Sequence, residues 1–204
     1  MNREIKQLVN SCIRCQMCAR DNPKMKPLEW KSGKPWERIH VDHAGPFKGK
    51  YFLIVVDSYT KWLEVQIVPN MECHTTINVL RKIFATFGLP EQLVSDNGPS
   101  FTGYQFREFL RVNGIKHTLI PPYHPSSNGQ AERWIQMIKS SLKKLDSTNL
   151  TLSLSRFLLA YHNILHIVTR NTPVELIFER QFLSSLHLLM PSRSNDNLTK
   201  PLHK

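Results

Sequence analysis

No stretch of this sequence is apolar over the ~20 residues that a bilayer-crossing helix requires, so nothing in it points to a membrane. Cysteine is sparse. Of the four, three lie together in "CIRCQMC" at 12–18, which is not the spread of an extracellular disulfide framework. The first ten residues, "MNREIKQLVN", lack the apolar centre of a secretory leader, so an intracellular chain is expected. No internal repeat is visible. Acidic side chains are also in short supply: 16 Asp and Glu stand against 27 Lys and Arg, leaving a formal charge of +11. That imbalance suits a polyanionic partner, of which nucleic acid is the commonest; a merely basic protein is the plainer alternative.

What is present organises into four parts. Residues 1–20 are polar and carry the cysteine cluster. Residues 21–35, "DNPKMKPLEWKSGKP", hold three prolines and four lysines without apolar periodicity and read as a linker. The globular part begins near Trp36 and runs to about 180, and the weakly patterned tail 181–204 is expected to be disordered. Within the globular part, "ERIHVDHAG" reads as a strand closed by Gly45-Pro46. "KYFLIVVDSYT" and "WLEVQIV" read as two more strands around a turn at 58–61. Ile77, Leu80, Ile83, Phe84 and Phe87 share one helical face, ended by Gly88 and Pro90. A short strand "EQLVSD", a helix "GYQFREFLRVNG" and a fifth strand "IKHTLI" follow. Next comes a long helix with Ala131, Trp134, Ile135, Ile138, Leu142 and Leu145 as its apolar stripe; Ser127 and Gln130 before it have capping-box spacing. "LSRFLLAYHNIL" and "TPVELIFER" complete the helices. The order βββαβαβα, then helices, predicts an α/β three-layer domain with helices on both faces of a five-stranded sheet.

Three carboxylates fall at element ends: Asp42 in the first strand, Asp96 after the fourth, and Glu132 in the first turn of the long helix. Alone, each is an ordinary surface or capping acid. Together, strand-end acids in such a sheet can converge on one edge. Three hard oxygen donors suit Mg²⁺, and two such ions about 3.5–4 Å apart serve phosphoryl transfer. Glu132, Gln136, Lys139 and Lys143 form a second, polar stripe along the helix.

The segments "PWERIHVDHAGPF", "LVSDNGPSFTGYQF" and "YHPSSNGQAERWIQMIK" closely resemble the catalytic core of retroviral and Ty3/gypsy-type LTR-retrotransposon integrases, which use a D,D-35-E triad. Here 132 − 96 = 36, so 35 residues separate Asp96 from Glu132, and 53 separate Asp42 from Asp96. The resemblance runs from about Cys12 to Arg180. It implies a ribonuclease H-like fold with a mixed five-stranded sheet. It also implies catalytic and metal-binding roles for Asp42, Asp96 and Glu132, two Mg²⁺ or Mn²⁺ ions per site, and processing and joining of DNA ends. Element ends and target DNA are the implied partners, with a homo-oligomer as the working form and an intracellular, nuclear location. A prolines-and-glycine approach such as "PPYHPSSNGQ" would restrain entry to the catalytic helix. The positive helix end would favour phosphate there.

The same resemblance suggests DNA contacts. Lys139 is the first of these, with a solvated lysine as the alternative; Gln136 and Lys143 follow it. Tyr123 and His124 either stack on a base, touch phosphate or pack the loop. Asn97 is a DNA candidate or plain turn chemistry. Asp57 fits a hairpin and is expected to be structural. Cys12 and Cys15 resemble the second half of an integrase zinc module, making residues 1–20 a remnant of it. The two histidines expected upstream are missing; Cys18 is a possible third ligand and His40 or His43, in the first strand, a distant fourth, so zinc is not expected. Cys73 is expected to be inert. Two departures stand out: Glu179 occupies the usual glycine position before the final Arg, and no barrel-like third domain follows. The missing histidine half of the zinc module and the missing terminal domain leave open a non-catalytic DNA-binding or interaction protein of retrotransposon origin. A transposase or nuclease on the same fold is a third possibility.

Overall fold

The computed structural model describes residues 33–120, 129–145 and 148–183, with the backbone alone described over 129–134. Cys12, Cys15, Cys18, the linker up to residue 32, Ser127, Tyr123 and His124, and the tail beyond 183 lie outside the described residues.

Five strands form one sheet: β1 (Arg38–Phe47), β2 (Lys50–Asp57), β3 (Leu63–Val68), β4 (Gln92–Ser95) and β5 (Lys116–Leu119), in the order β3-β2-β1-β4-β5. β1 pairs with β2 and β2 with β3 antiparallel, while β1–β4 and β4–β5 are parallel. Six helices are described: α1 (Cys73–Phe87), α2 (Pro99–Thr102), α3 (Tyr104–Val112), α4 (Gly129–Lys143), α5 (Leu150–Asn163) and α6 (Pro173–Phe178).

The period-2 alternation of the strands sorts their side chains onto two cores. Ile39, Val41, Leu53 and Val55 join Leu80, Phe84, Phe101, Phe106 and Leu110 from α1, α2 and α3. Ala44, Phe52, Ile54 and Val56 join Ile138 and Leu142 of α4 and Leu154 of α5. β2 is therefore apolar on both faces, as a strand covered by helices on each side must be. Burying Ile138 and Leu142, each 1% exposed, stabilises α4 on the sheet by roughly 1.5–3 kcal/mol per side chain.

The expected strands and helices are all present, with three differences. β1 does not stop at Gly45-Pro46. It continues to Phe47 through a register shift between Ala44 and Phe47. Gly45 makes this possible: its φ is 115°, and a Cβ there would stand 2.6 Å from the Lys50 carbonyl oxygen. Pro99 opens a separate four-residue helix, α2, ahead of α3. Glu179 caps α6 in the left-handed region at φ 55°, its N–H bonding the Glu175 carbonyl. A glycine would adopt that conformation without penalty, which is the physical sense of the family's usual residue there.

α5 is fixed to β3 by polar and aromatic contacts. Tyr161 donates its hydroxyl to the Lys61 carbonyl at 2.8 Å, and His162 donates from Nε2 to the Leu63 carbonyl at 2.8 Å. The His162 ring stacks on Trp62, centroids 3.6 Å apart. α6 starts in a complete capping box between Thr172 and Glu175. Asp57, expected to be structural, is fully buried at the end of β2.

Candidate active site at the ends of the parallel strands

The register of β1 and β4 builds the centre of the site. Val41 pairs with Ser95. One further step along these parallel strands sets Asp42 beside Asp96, and neighbouring strands run about 4.8 Å apart. Alternation turns Asp42 to the face of Ala44, which is the α4 face, and His43 to the α1 face. Asp42 meets α4 directly: its Oδ2 lies 2.7 Å from Lys139 Nζ, and both side chains are only 20% exposed. Lys139 is seven residues, about two turns, beyond Glu132 on that helix.

Burial pushes the Asp42 carboxyl above the ordinary aspartate value, and Asp96 adds to the rise. Lys139 opposes the rise through its charge and its hydrogen bond. A largely desolvated carboxylate near a second acid favours a cation beside it. The donor types suit a hard divalent ion: Asp42 and Asp96 could offer carboxylate oxygens, and Glu132 is on α4, the helix whose Lys139 reaches Asp42. Among the residues whose side chains are described, no group of three metal-ligating side chains occurs. The Glu132 side chain is outside that description.

Asp96 is held by its own turn. Its Oδ1 accepts the Gly98 N–H at 2.9 Å. A Cβ on Gly98 would stand 2.9 Å from that same oxygen, so a side chain there would push the Asp96 carboxylate aside. The Ser95 and Asn97 groups on either side of Asp96 both grip the end of β5. The Ile120 N–H bonds the Ser95 carbonyl at 2.9 Å, and Asn97 Nδ2 donates to the Ile120 carbonyl at 3.2 Å. Ser100 donates its hydroxyl to the Met71 carbonyl, tying the turn after Asp96 to the approach to α1.

The remaining candidates separate. Gln136 and Lys143 are exposed on α4, and Lys143 stands over the Phe47 ring at 5.2 Å. Asn97 is exposed and donates from Nδ2 to the Ile120 carbonyl, 23 residues on. Two features went unseen in the sequence. One is the Lys139–Asp42 ion pair. The other is His43, whose Nε2 is 3.1 Å from Thr76 Oγ1 and whose ring stacks on Phe101 at 4.8 Å. Burial holds its imidazole down at about 4, with Asp96 pulling it up and Lys139 pushing it down as smaller effects. It is therefore a neutral packing group at pH 7. Strand alternation alone could have assigned His43 to the face opposite Asp42. Cys73 is a free, partly buried thiol, and burial pushes its pKa up, away from reactivity.

A central mixed sheet in this strand order, with Asp42 within β1, Asp96 just after β4 and helices on both faces, is the ribonuclease H-like arrangement. Residues 32–125 match the family described as Integrase core domain. An uncharacterized protein of Caenorhabditis elegans is 37% identical over 198 residues, covering 94% of this chain and 16% of that protein. The Pol polyprotein of feline endogenous virus ECE1 is 33% identical over 147 residues, covering 69% of this chain and 14% of the polyprotein. This chain thus spans a small fraction of these curated relatives. The catalytic core of BIV integrase superimposes with a TM-score of 0.57 at 22% identity, covering 71% of this chain and 95% of that one. The HTLV-2 integrase catalytic core in complex with magnesium gives 0.58 at 22% identity, covering 72% and 99%. At such identities the structures show the shared fold. The chain belongs to the integrase core family of retroviral and retrotransposon polyproteins.

Proposed function

We propose that this chain is the catalytic core of a divalent-metal-dependent DNA integrase of LTR-retrotransposon type, acting on element ends and target DNA as an oligomer within the nucleus. The observation that carries the proposal is the placement of Asp42, one residue past the last β1–β4 pair, near Asp96 just after β4, with Asp42 meeting Lys139 of the helix that bears Glu132. Asp42, Asp96 and Glu132 would hold Mg²⁺ or Mn²⁺. Bound there, the metal would activate the attacking oxygen and stabilise the leaving one in phosphodiester exchange.

The chain's own residues do the rest. Gly98 and Asn97 fix the Asp96 carboxylate and the exit of β5 in one frame. Ile138 and Leu142 seat α4 on the sheet, and Lys139 of that helix reaches Asp42. The net charge of +11 draws the DNA backbone to the molecule.

Joining two ends needs positioning beyond the chemistry itself, and lost positioning can cost orders of magnitude in rate. The test is therefore a preassembled branched duplex that mimics the joined product, incubated with the chain and Mn²⁺. The expected result is resealing of the nicked strand with release of the branch. A folded chain that gives no resealing over a range of salt and Mn²⁺ would favour the non-catalytic reading.

A further inference from the structure

The ammonium of Lys139 stands 2.7 Å from Asp42 Oδ2, at the carboxylate assigned above to the metal. Both partners are four-fifths buried, so this is not a loose surface pair. A hard divalent ion coordinates carboxylate oxygen at about 2.0–2.1 Å for Mg²⁺. An ion on that oxygen and an ammonium at hydrogen-bonding distance from it would be two like charges only a few Å apart, in a partly desolvated site where screening is weak. The two cations therefore compete for one carboxylate. The charge balance agrees. Asp42, Asp96 and Glu132 carry three formal negative charges, and Lys139 returns one. One divalent ion restores more than the lysine does.

We infer that Lys139 is the resident counter-ion of the metal-free site, that divalent metal displaces it from Asp42, and that the released ammonium then serves the DNA phosphate. The inference rests on the metal-site reading above and deepens it. It assigns the lysine two successive anions and makes metal and DNA binding mutually favourable. Metal frees the cation that DNA needs, and phosphate holds that cation away from the carboxylate that metal needs. Such coupling is reciprocal by thermodynamic necessity. The geometry supports the exchange. Lys139 lies on the same helical stripe as Gln136 and Lys143, both exposed, and its long stem can swing the ammonium outward without moving the helix.

The test measures Mn²⁺ affinity of the full chain without DNA, by calorimetry and by the spin-resonance signal of free Mn²⁺. Wild type, Lys139→Gln and Lys139→Arg are compared. Lys139→Gln should bind Mn²⁺ about fivefold or more tightly than wild type, whereas Lys139→Arg, which keeps a competing charge, should stay near wild type. Affinity for a linear, unbranched duplex, measured by fluorescence anisotropy with and without Mn²⁺, gives the other half of the cycle. Mn²⁺ should tighten duplex binding by wild type, and that gain should largely vanish in Lys139→Gln, whose duplex affinity is also lower overall. Tighter metal with weaker DNA is a pairing that general loss of structure cannot produce, since misfolding weakens both. Wild-type binding of Mn²⁺ with equal or weaker binding by Lys139→Gln would overturn the counter-ion role and leave the metal site standing. Absence of Mn²⁺ binding by all three chains would overturn both together.

Discussion

Asp96→Asn should abolish resealing of branched DNA while leaving the protein folded. Asparagine keeps the shape of the side chain, and its amide oxygen can still accept the Gly98 N–H that now bonds Asp96 Oδ1 at 2.9 Å. The bonds from Ser95 and Asn97 to Ile120 do not involve the substituted group. Stability should therefore change by no more than about 0.5 kcal/mol, as for substitutions away from the core. What is lost is a negative charge at the position where cations are required. Removing a ligand that holds an activating metal is expected to cost at least about a thousandfold in rate, or roughly 4 kcal/mol of barrier. Circular dichroism and a melting curve check the fold, and single-turnover resealing with Mn²⁺ checks the rate. Retention of activity within about tenfold of wild type would remove Asp96 from the chemistry.

The largest stability effect is expected at Asp57, far from any metal. Its carboxylate is fully buried, and three donors converge on it. Trp36 N–H reaches Oδ1 at 3.2 Å, while the Thr60 N–H and hydroxyl reach Oδ2 at 2.8 and 2.6 Å. Burial pushes its pKa up, and the hydrogen bonds from Thr60, Tyr59 and Trp36 pull against that rise. This acid closes the β2–β3 turn and ties it to the entry of β1. Asp57→Ala leaves those donors buried without an acceptor, each at about 1–3 kcal/mol. A total near 3–5 kcal/mol is expected, lowering the melting temperature by roughly 6–20 °C. Urea titration and thermal melts of the two chains measure it. A loss below about 1 kcal/mol would mean that water reaches the turn and replaces the carboxylate.

These two aspartates show what the sequence made legible. Asp42, Asp96 and Glu132 stood out as candidates because three separate segments resemble one family at matching spacing. Asp57 was readable as structural because its hairpin pattern assigns it to a turn. The helix faces were equally plain: the Ile77, Leu80, Ile83 and Phe84 stripe is buried as its period requires. Features that depend on two distant segments were not readable. Lys139 and Asp42 are 97 residues apart, and only the packing of α4 on β1 joins them. Nothing local to "MIKSS" distinguishes a lysine in solvent from one on a buried acid. The bulge at Gly45-Pro46 was hidden for a related reason. A Gly-Pro pair signals a chain break locally, and the pairing of Phe47 with Lys50 overrides it.

Crystals of the full chain soaked in Mn²⁺ and measured at the manganese absorption edge examine the central claim most directly, because the anomalous signal locates the ion without reference to activity or to sequence. The expected result is an anomalous peak between the Asp42 and Asp96 carboxylates, with Glu132 oxygen as a further ligand and Lys139 Nζ moved off Asp42 Oδ2. A well-diffracting crystal saturated with Mn²⁺ that shows no peak at Asp42 and Asp96, with the Lys139–Asp42 pair intact, would contradict it.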